Sequence, residues 1–113
     1  MSARLPAHLV VSAILRLAET QGGFGAVLAK GEREAGAILL IATSRGGPAT
    51  LYERMPRRDG AHAFVAVKQQ DPEHPEEFSE YLARRRRQDP DLWQIEVDIA
   101  DPERFIAQIA DLA

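Results

Sequence analysis

Residues 37–43 read AILLIAT, and both parities of the stretch are apolar: Ala37, Leu39 and Ile41 on one, Ile38, Leu40 and Ala42 on the other. A strand that is greasy on both sides needs cover on both sides, so this stretch predicts a central strand between two layers. It is also the longest apolar run in the chain, and it falls far short of the roughly 20 residues a membrane span needs.

Working outward, Leu5 to Gln21 has the period of a helix. His8, Ser12, Arg16, Glu19 and Thr20 form a wet stripe, opposite Val10, Ala13, Ile14, Leu17 and Ala18. Pro6 suits the first turn, and Gly22-Gly23 ends the helix. Phe24 to Lys30 is a strand candidate ahead of the central one. Thr50 to Met55 and Ala63 to Lys68 follow it, with a hairpin signal at Asp59-Gly60. The short joints predict antiparallel neighbours.

A second helix is expected over about Glu76 to Gln88, with Phe78, Tyr81, Leu82 and Arg85 on one face, stopped by Asp89-Pro90. Trp93, Ile95, Val97 and Ile99 then alternate with Gln94, Glu96 and Asp98, which is the period of a strand. Asp101-Pro102-Glu103 reads as the cap and first turn of a last helix carrying Phe105, Ile106, Ile109 and Leu112. The expected fold is α+β, in the order α-β-β-β-β-α-β-α, with helices packed on a mostly antiparallel sheet of about five strands.

The 113 residues are expected to form a single α+β domain spanning 1–113, with no repeat and no dividing linker. Hydrophobic residues at 45% and charged residues at 27% exclude a disordered chain. Zero cysteines exclude disulfides and thiolate chemistry. The start, MSARLPAHLVV, shows no signal-peptide pattern, so the expected location is cytoplasmic. Net charge is −3, unevenly divided. Residues 1–58 hold eight basic and four acidic side chains, a balance of +4; residues 59–113 hold six and thirteen, a balance of −7. Such asymmetry suits head-to-tail association or a charged partner, although charges of both halves ordinarily intermix on one surface.

Three glycine or serine runs are not catalytic motifs. Gly22-Gly23-Phe24-Gly25 follows a helix, whereas phosphate loops precede one. Gly31 to Gly36 has Walker spacing, but Ala37-Ile38 stands where Lys-Ser/Thr is required. Ser44 lacks the helix that must follow a nucleophile elbow. The loop Asp71 to Glu77 gathers four carboxylates around His74 without repeating a ligand spacing, so no metal is expected. No catalytic residue and no cofactor are assigned.

Two charged groups deserve weight. Arg84-Arg85-Arg86-Arg87 could address phosphates, but consecutive helical residues fan out by about 100° each and cannot face one backbone. Bases at the end of a helix that begins with Glu76, Glu77 and Glu80 match its macrodipole, so nucleic acid is not the favoured partner. On the strands, Lys30, Tyr52, Arg54 and Lys68, with Glu53 and His62, are the candidates for an anion pocket. That reading requires at least three of them to converge in one concave site. An even-length hairpin would put Glu53 on the face of Phe64, Ala66 and Lys68, with a Glu53–Lys68 diagonal pair.

RLPAHLVVSAILRLAETQGGFGAVLAKGEREAGAILL at 4–40, LYERMP at 51–56, QDPEHPEEFSEYLARRRRQDPDLWQIEV at 70–97 and DIADPERF at 98–105 cover nearly the whole chain. Together they resemble the domain of unknown function 1491 family of small bacterial proteins. The resemblance implies a free-standing bacterial cytosolic protein and brings no activity, substrate or site residue with it. The order of elements is also similar to that of the small N-acetyltransferase superfold, whose Gln/Arg-x-x-Gly-x-Gly/Ala loop holds a coenzyme pyrophosphate. The corresponding loop here, Gln70 to Pro75, has no glycine and several acids, so coenzyme A is not expected. The expected function is therefore a non-enzymatic binding or interaction module, with a protein partner or its own copy (a homodimer) as ligand. The alternatives are an anionic small-molecule binder or enzyme using the strand residues, and nucleic-acid binding through Arg84–Arg87.

Overall fold

A computed structural model describes residues 5–112. The elements are α1 (Ala7–Thr20), β1 (Phe24–Ala29), β2 (Ile38–Thr43), β3 (Thr50–Pro56), β4 (His62–Gln69), α2 (Pro75–Gln88), β5 (Trp93–Asp98) and α3 (Pro102–Ile109), closed by a 3₁₀ turn, Ala110–Leu112. This is the expected α+β order. The five strands form one sheet in the order β1-β5-β2-β3-β4. All neighbours are antiparallel except β2 and β5, which run parallel from Ile38↔Trp93 to Thr43↔Asp98.

The AILLIAT stretch supplies β2, the middle strand, and each face of it meets its own core. Ile38, Leu40 and Ala42 join Ile95 and Val97 of β5 under α1 (Val10, Ile14, Ala18) and α3 (Phe105, Ile109). Leu39 and Ile41 join Leu51 of β3 under Phe78, Tyr81 and Leu82 of α2. Two helices thus cover one face and a single helix the other.

The short joint between β1 and β2 does not make them neighbours, because β5 lies between them. The joint instead wraps the start of β5. Glu32 N–H donates to the Asp91 carbonyl at 2.9 Å, and the buried Trp93 indole donates to the Glu32 carbonyl at 2.7 Å. Gly31 and Gly36 sit against this start, and a β-carbon on either would collide with the Asp91 carbonyl oxygen.

Helix ends follow their local chemistry. Gly22 takes φ +79° just after α1, as a terminating glycine does. The Asp101 carboxylate accepts from Arg104 N–H at 3.1 Å and caps α3, with Pro102 in its first turn. The β3–β4 hairpin departs from the even-length expectation. Pro56 pairs with His62, leaving a five-residue loop in which Arg57 N–H donates to Ala61 C=O. Glu53 therefore opposes Val65, while Phe64 and Ala66 lie opposite Arg54 and Tyr52 on the other face. A register shift beyond Tyr52↔Ala66 sets Lys68 opposite Leu51, which returns Lys68 to the face of Glu53.

Candidate functional site

β5 is central, yet it is apolar on one side only. Trp93, Ile95 and Val97 point under α1 and α3; Gln94, Glu96 and Asp98 point to the α2 side. Polar residues on the inner strand of a sheet need partners or water. Gln94 finds one: it is 6% exposed, and its amide nitrogen donates to the Leu82 carbonyl of α2 at 2.8 Å. Asp98 finds two. Its carboxylate oxygens accept from the backbone N–H of Arg45 at 2.6 Å and of Gly46 at 3.0 Å. Arg45 at φ +55° and Gly46 at φ +72° turn these N–H groups inward, so Asp98 locks the β2–β3 loop with charge-assisted bonds.

Glu96, between them, has neither. It is partly buried, and among the described residues no hydrogen bond or ion pair reaches its carboxylate.

The space in front of Glu96 is a cleft of about 400 Å³ between α2 and the sheet. Leu28, Ile41, Phe78 and Leu82 give it apolar walls, while Glu96 and Asp98 give it an acidic floor. Gly46 and Gly47 close one end. Past Ser79 and Leu82 the cleft opens into a trough lined by Ala83, Arg86, Arg87 and Gln94. The outer wall is β1, an edge strand whose Phe24 is 58% and Leu28 48% exposed.

The strand residues singled out from sequence do not line this cleft. Lys30 follows β1 at one edge of the sheet, and Lys68 lies in β4 at the other. Tyr52 and Arg54 occupy the α1/α3 face; Lys68 occupies the α2 face, its ammonium 5.3 Å from the Tyr81 ring centre. Burial, then the nearby Glu103 charge, pushes the Tyr52 phenol pKa up. Arg54 does share a separate cleft of about 370 Å³ with His62, where Leu5, Pro6 and Glu34 complete the wall. Glu53 pairs with Arg85 rather than with Lys68: Nη1–Oε1 is 2.8 Å and Nη2–Oε2 3.1 Å.

The four arginines of α2 fan out. Arg85 turns inward to Glu53 and the Tyr81 hydroxyl, Arg84 lies 5.4 Å from the Tyr81 ring centre, and Arg86 and Arg87 border the trough. Ser44 donates its hydroxyl to the Ala100 carbonyl, an anchoring contact. Among the described residues no cluster of three metal-ligating side chains forms, the Asp71–Glu77 loop included. No helix of the described residues is long and apolar enough to cross a membrane.

Sequence reasoning passed over Glu96, reading it as the wet side of an alternating strand. The one available signal was that the alternation contains two carboxylates, Glu96 and Asp98, in a chain with few other strands able to occupy the sheet centre.

This arrangement defines a small α+β sheet protein with an acidic cleft on its sparsely covered face. The chain belongs to the family described as protein of unknown function (DUF1491), whose model matches residues 5–107. It is similar to a DUF1491 family protein from Caulobacter crescentus CB15. The crystal structure shows 33% identity over 89% of this chain and 94% of that one, with a TM-score of 0.74. An NMR structure of a DUF1491 family protein from the same organism gives 32%, 92%, 94% and 0.77. It is also similar to protein Atu0922 from A. tumefaciens, at 30% identity over 91% of this chain and 92% of that one, with a TM-score of 0.75. No curated protein matches the chain.

Proposed function

We propose that this protein is a non-enzymatic binding module whose cleft between α2 and β5 receives a basic side chain presented by a partner polypeptide. The observation that carries the reading is Glu96: a partly buried carboxylate with no partner among the described residues, framed by Leu28, Phe78 and Leu82. A cation on an apolar stem suits that chemistry, the stem against the leucines and the charge on the carboxylate. Binding is favoured over catalysis because the polar neighbours are committed elsewhere. Asp98 is held by two N–H groups, and Gln94 by a helix carbonyl. The test is an NMR titration with n-butylammonium, a minimal cation on an apolar tail. Shifts are expected at Leu28, Leu82, Glu96 and Asp98 and are expected to vanish in Glu96→Gln. A response spread evenly over the acidic surface, or one unchanged in Glu96→Gln, defeats the reading.

A second reading, an anionic small-molecule site, is supported by Arg54 and His62 lining one cleft. A dicarboxylate such as succinate is then expected to raise the melting temperature of the wild-type chain but not of Arg54→Gln. The run does not favour nucleic acid, since Arg85 is engaged with Glu53, Arg84 lies against Tyr81, and only Arg86 and Arg87 border one trough.

A further inference from the structure

We propose that the partner enters by its C-terminus: the groove under α2 takes a C-terminal lysine, its side-chain ammonium on Glu96 and its α-carboxylate on Arg86 and Arg87. This rests on the reading of the acidic cleft as a site for a basic side chain. The cleft and the trough share Ser79 and Leu82 in their walls, so they form one groove with opposite charge at its two ends. Glu96 lies in the cleft of about 400 Å³, and Arg86 and Arg87 border the trough of about 600 Å³. Ser79, Leu82, Ala83 and Arg86 recur at steps of three and four along α2, which puts them on one face of the helix. Arg85 is committed to Glu53, but no ion pair or side-chain hydrogen bond reaches Arg86 or Arg87 among the described residues.

The groove has a length as well as a polarity. Gln94 and Glu96 are alternate residues on one face of β5, so they stand about 7 Å apart along the strand. A lysine side chain spans about 6 Å from Cα to Nζ. With its ammonium at Glu96, a lysine therefore sets its own backbone level with Gln94, in the trough. Two unpaired guanidiniums there call for a carboxylate, which a terminal lysine brings and a lysine inside a chain does not. Free lysine fits less well, because its α-ammonium would share the trough with both arginines. In a peptide that nitrogen is a neutral amide. Its N–H can donate to the Gln94 amide oxygen, which accepts from no group among the described residues. The reverse orientation would set the carboxylate against Glu96 and Asp98, so the charges admit one direction of entry.

An NMR titration with acetyl-glycyl-lysine, its C-terminal amide, free lysine and n-butylammonium tests this. The free-acid peptide is expected to bind at least tenfold more tightly than the amide or free lysine, with shifts at Leu82, Gln94 and Glu96. Arg86 and Arg87 are exposed, so the double variant Arg86→Gln with Arg87→Gln is expected to melt near wild type. In it the preference for acid over amide is expected to disappear. n-Butylammonium, which has no carboxylate, is expected to bind the double variant no more weakly than wild type. Glu96→Gln is expected to lose both the peptide and n-butylammonium. Equal binding of acid and amide, a preference that survives the double variant, or free lysine matching the peptide overturns the proposal. If n-butylammonium still binds through Glu96 in any of those cases, the cleft reading stands without it. A wild-type chain that answers neither n-butylammonium nor the peptide removes the cleft reading as well.

Discussion

The Arg85 guanidinium meets the Glu53 carboxylate fork to fork, at 2.8 and 3.1 Å, and so bolts α2 to β3 across the layer. Both side chains are about four-fifths buried, at 22% and 19% exposure. The hydrogen bonds to Glu53 push the guanidinium pKa further up, so Arg85 keeps its charge throughout the range of folding.

Removing one member strands the other in a partly dry site. Arg85→Met or Glu53→Met is expected to cost about 2 kcal/mol in urea unfolding. The double variant is expected to lose less than the two single losses added together, because a matched apolar pair leaves no orphaned charge.

Glu96 predicts the opposite sign. Glu96→Leu removes a partly buried carboxylate that has no partner among the described residues and extends the apolar wall of the cleft. It is expected to stabilise the fold by about 0.5–1 kcal/mol, measured by the urea midpoint, while abolishing the n-butylammonium response. A destabilised Glu96→Leu would mean that the carboxylate is held by the fold itself.

Gly36 is a packing requirement. A β-carbon there would strike the Asp91 carbonyl oxygen and lie 2.8 Å from the Glu32 carbonyl oxygen, both backbone atoms that cannot swing aside. Gly36→Ala is expected to cost about 2–3 kcal/mol and to shift the near-ultraviolet signal of Trp93, whose indole shares that loop.

The raised Tyr52 pKa has a defined sign. The native state holds the phenolic proton more tightly than the unfolded chain does, so this contribution is fully present below about pH 10, the ordinary tyrosine value. It is lost as pH climbs through the higher native value. Above about pH 10 the melting temperature of wild type is expected to fall more steeply than that of Tyr52→Phe.

What was legible in the sequence depended on whether a residue's environment is set locally. Ile38 to Ile41 announced a strand with two covered faces, because four apolar residues in a short run bounded by turn residues leave neither face for water, and all four are buried. Asp101 and Gly22 announced helix ends for equally local reasons. The face of Arg85 on α2 was visible from helical periodicity, but its partner Glu53 was not, since that contact joins a helix to a strand 32 residues earlier. The positions of Lys30, Tyr52, Arg54 and Lys68 depend on a five-residue loop, a register shift and the insertion of β5 beside β1. None of these leaves a periodic trace. Glu96 was hidden for the last of those reasons: alternation shows that a strand has a polar side without showing what stands over it.

The place of β5 also dictates when the molecule can exist during its own synthesis. The meander β2–β3–β4 can close as soon as it leaves the ribosome, but β1 hydrogen-bonds only to a strand encoded some seventy residues later. β1 cannot complete its sheet contacts until Trp93 to Asp98 emerges and pairs with β1 on one side and β2 on the other. Any nascent chain arrested before that point leaves β1 and the β5-facing side of β2 without a strand partner.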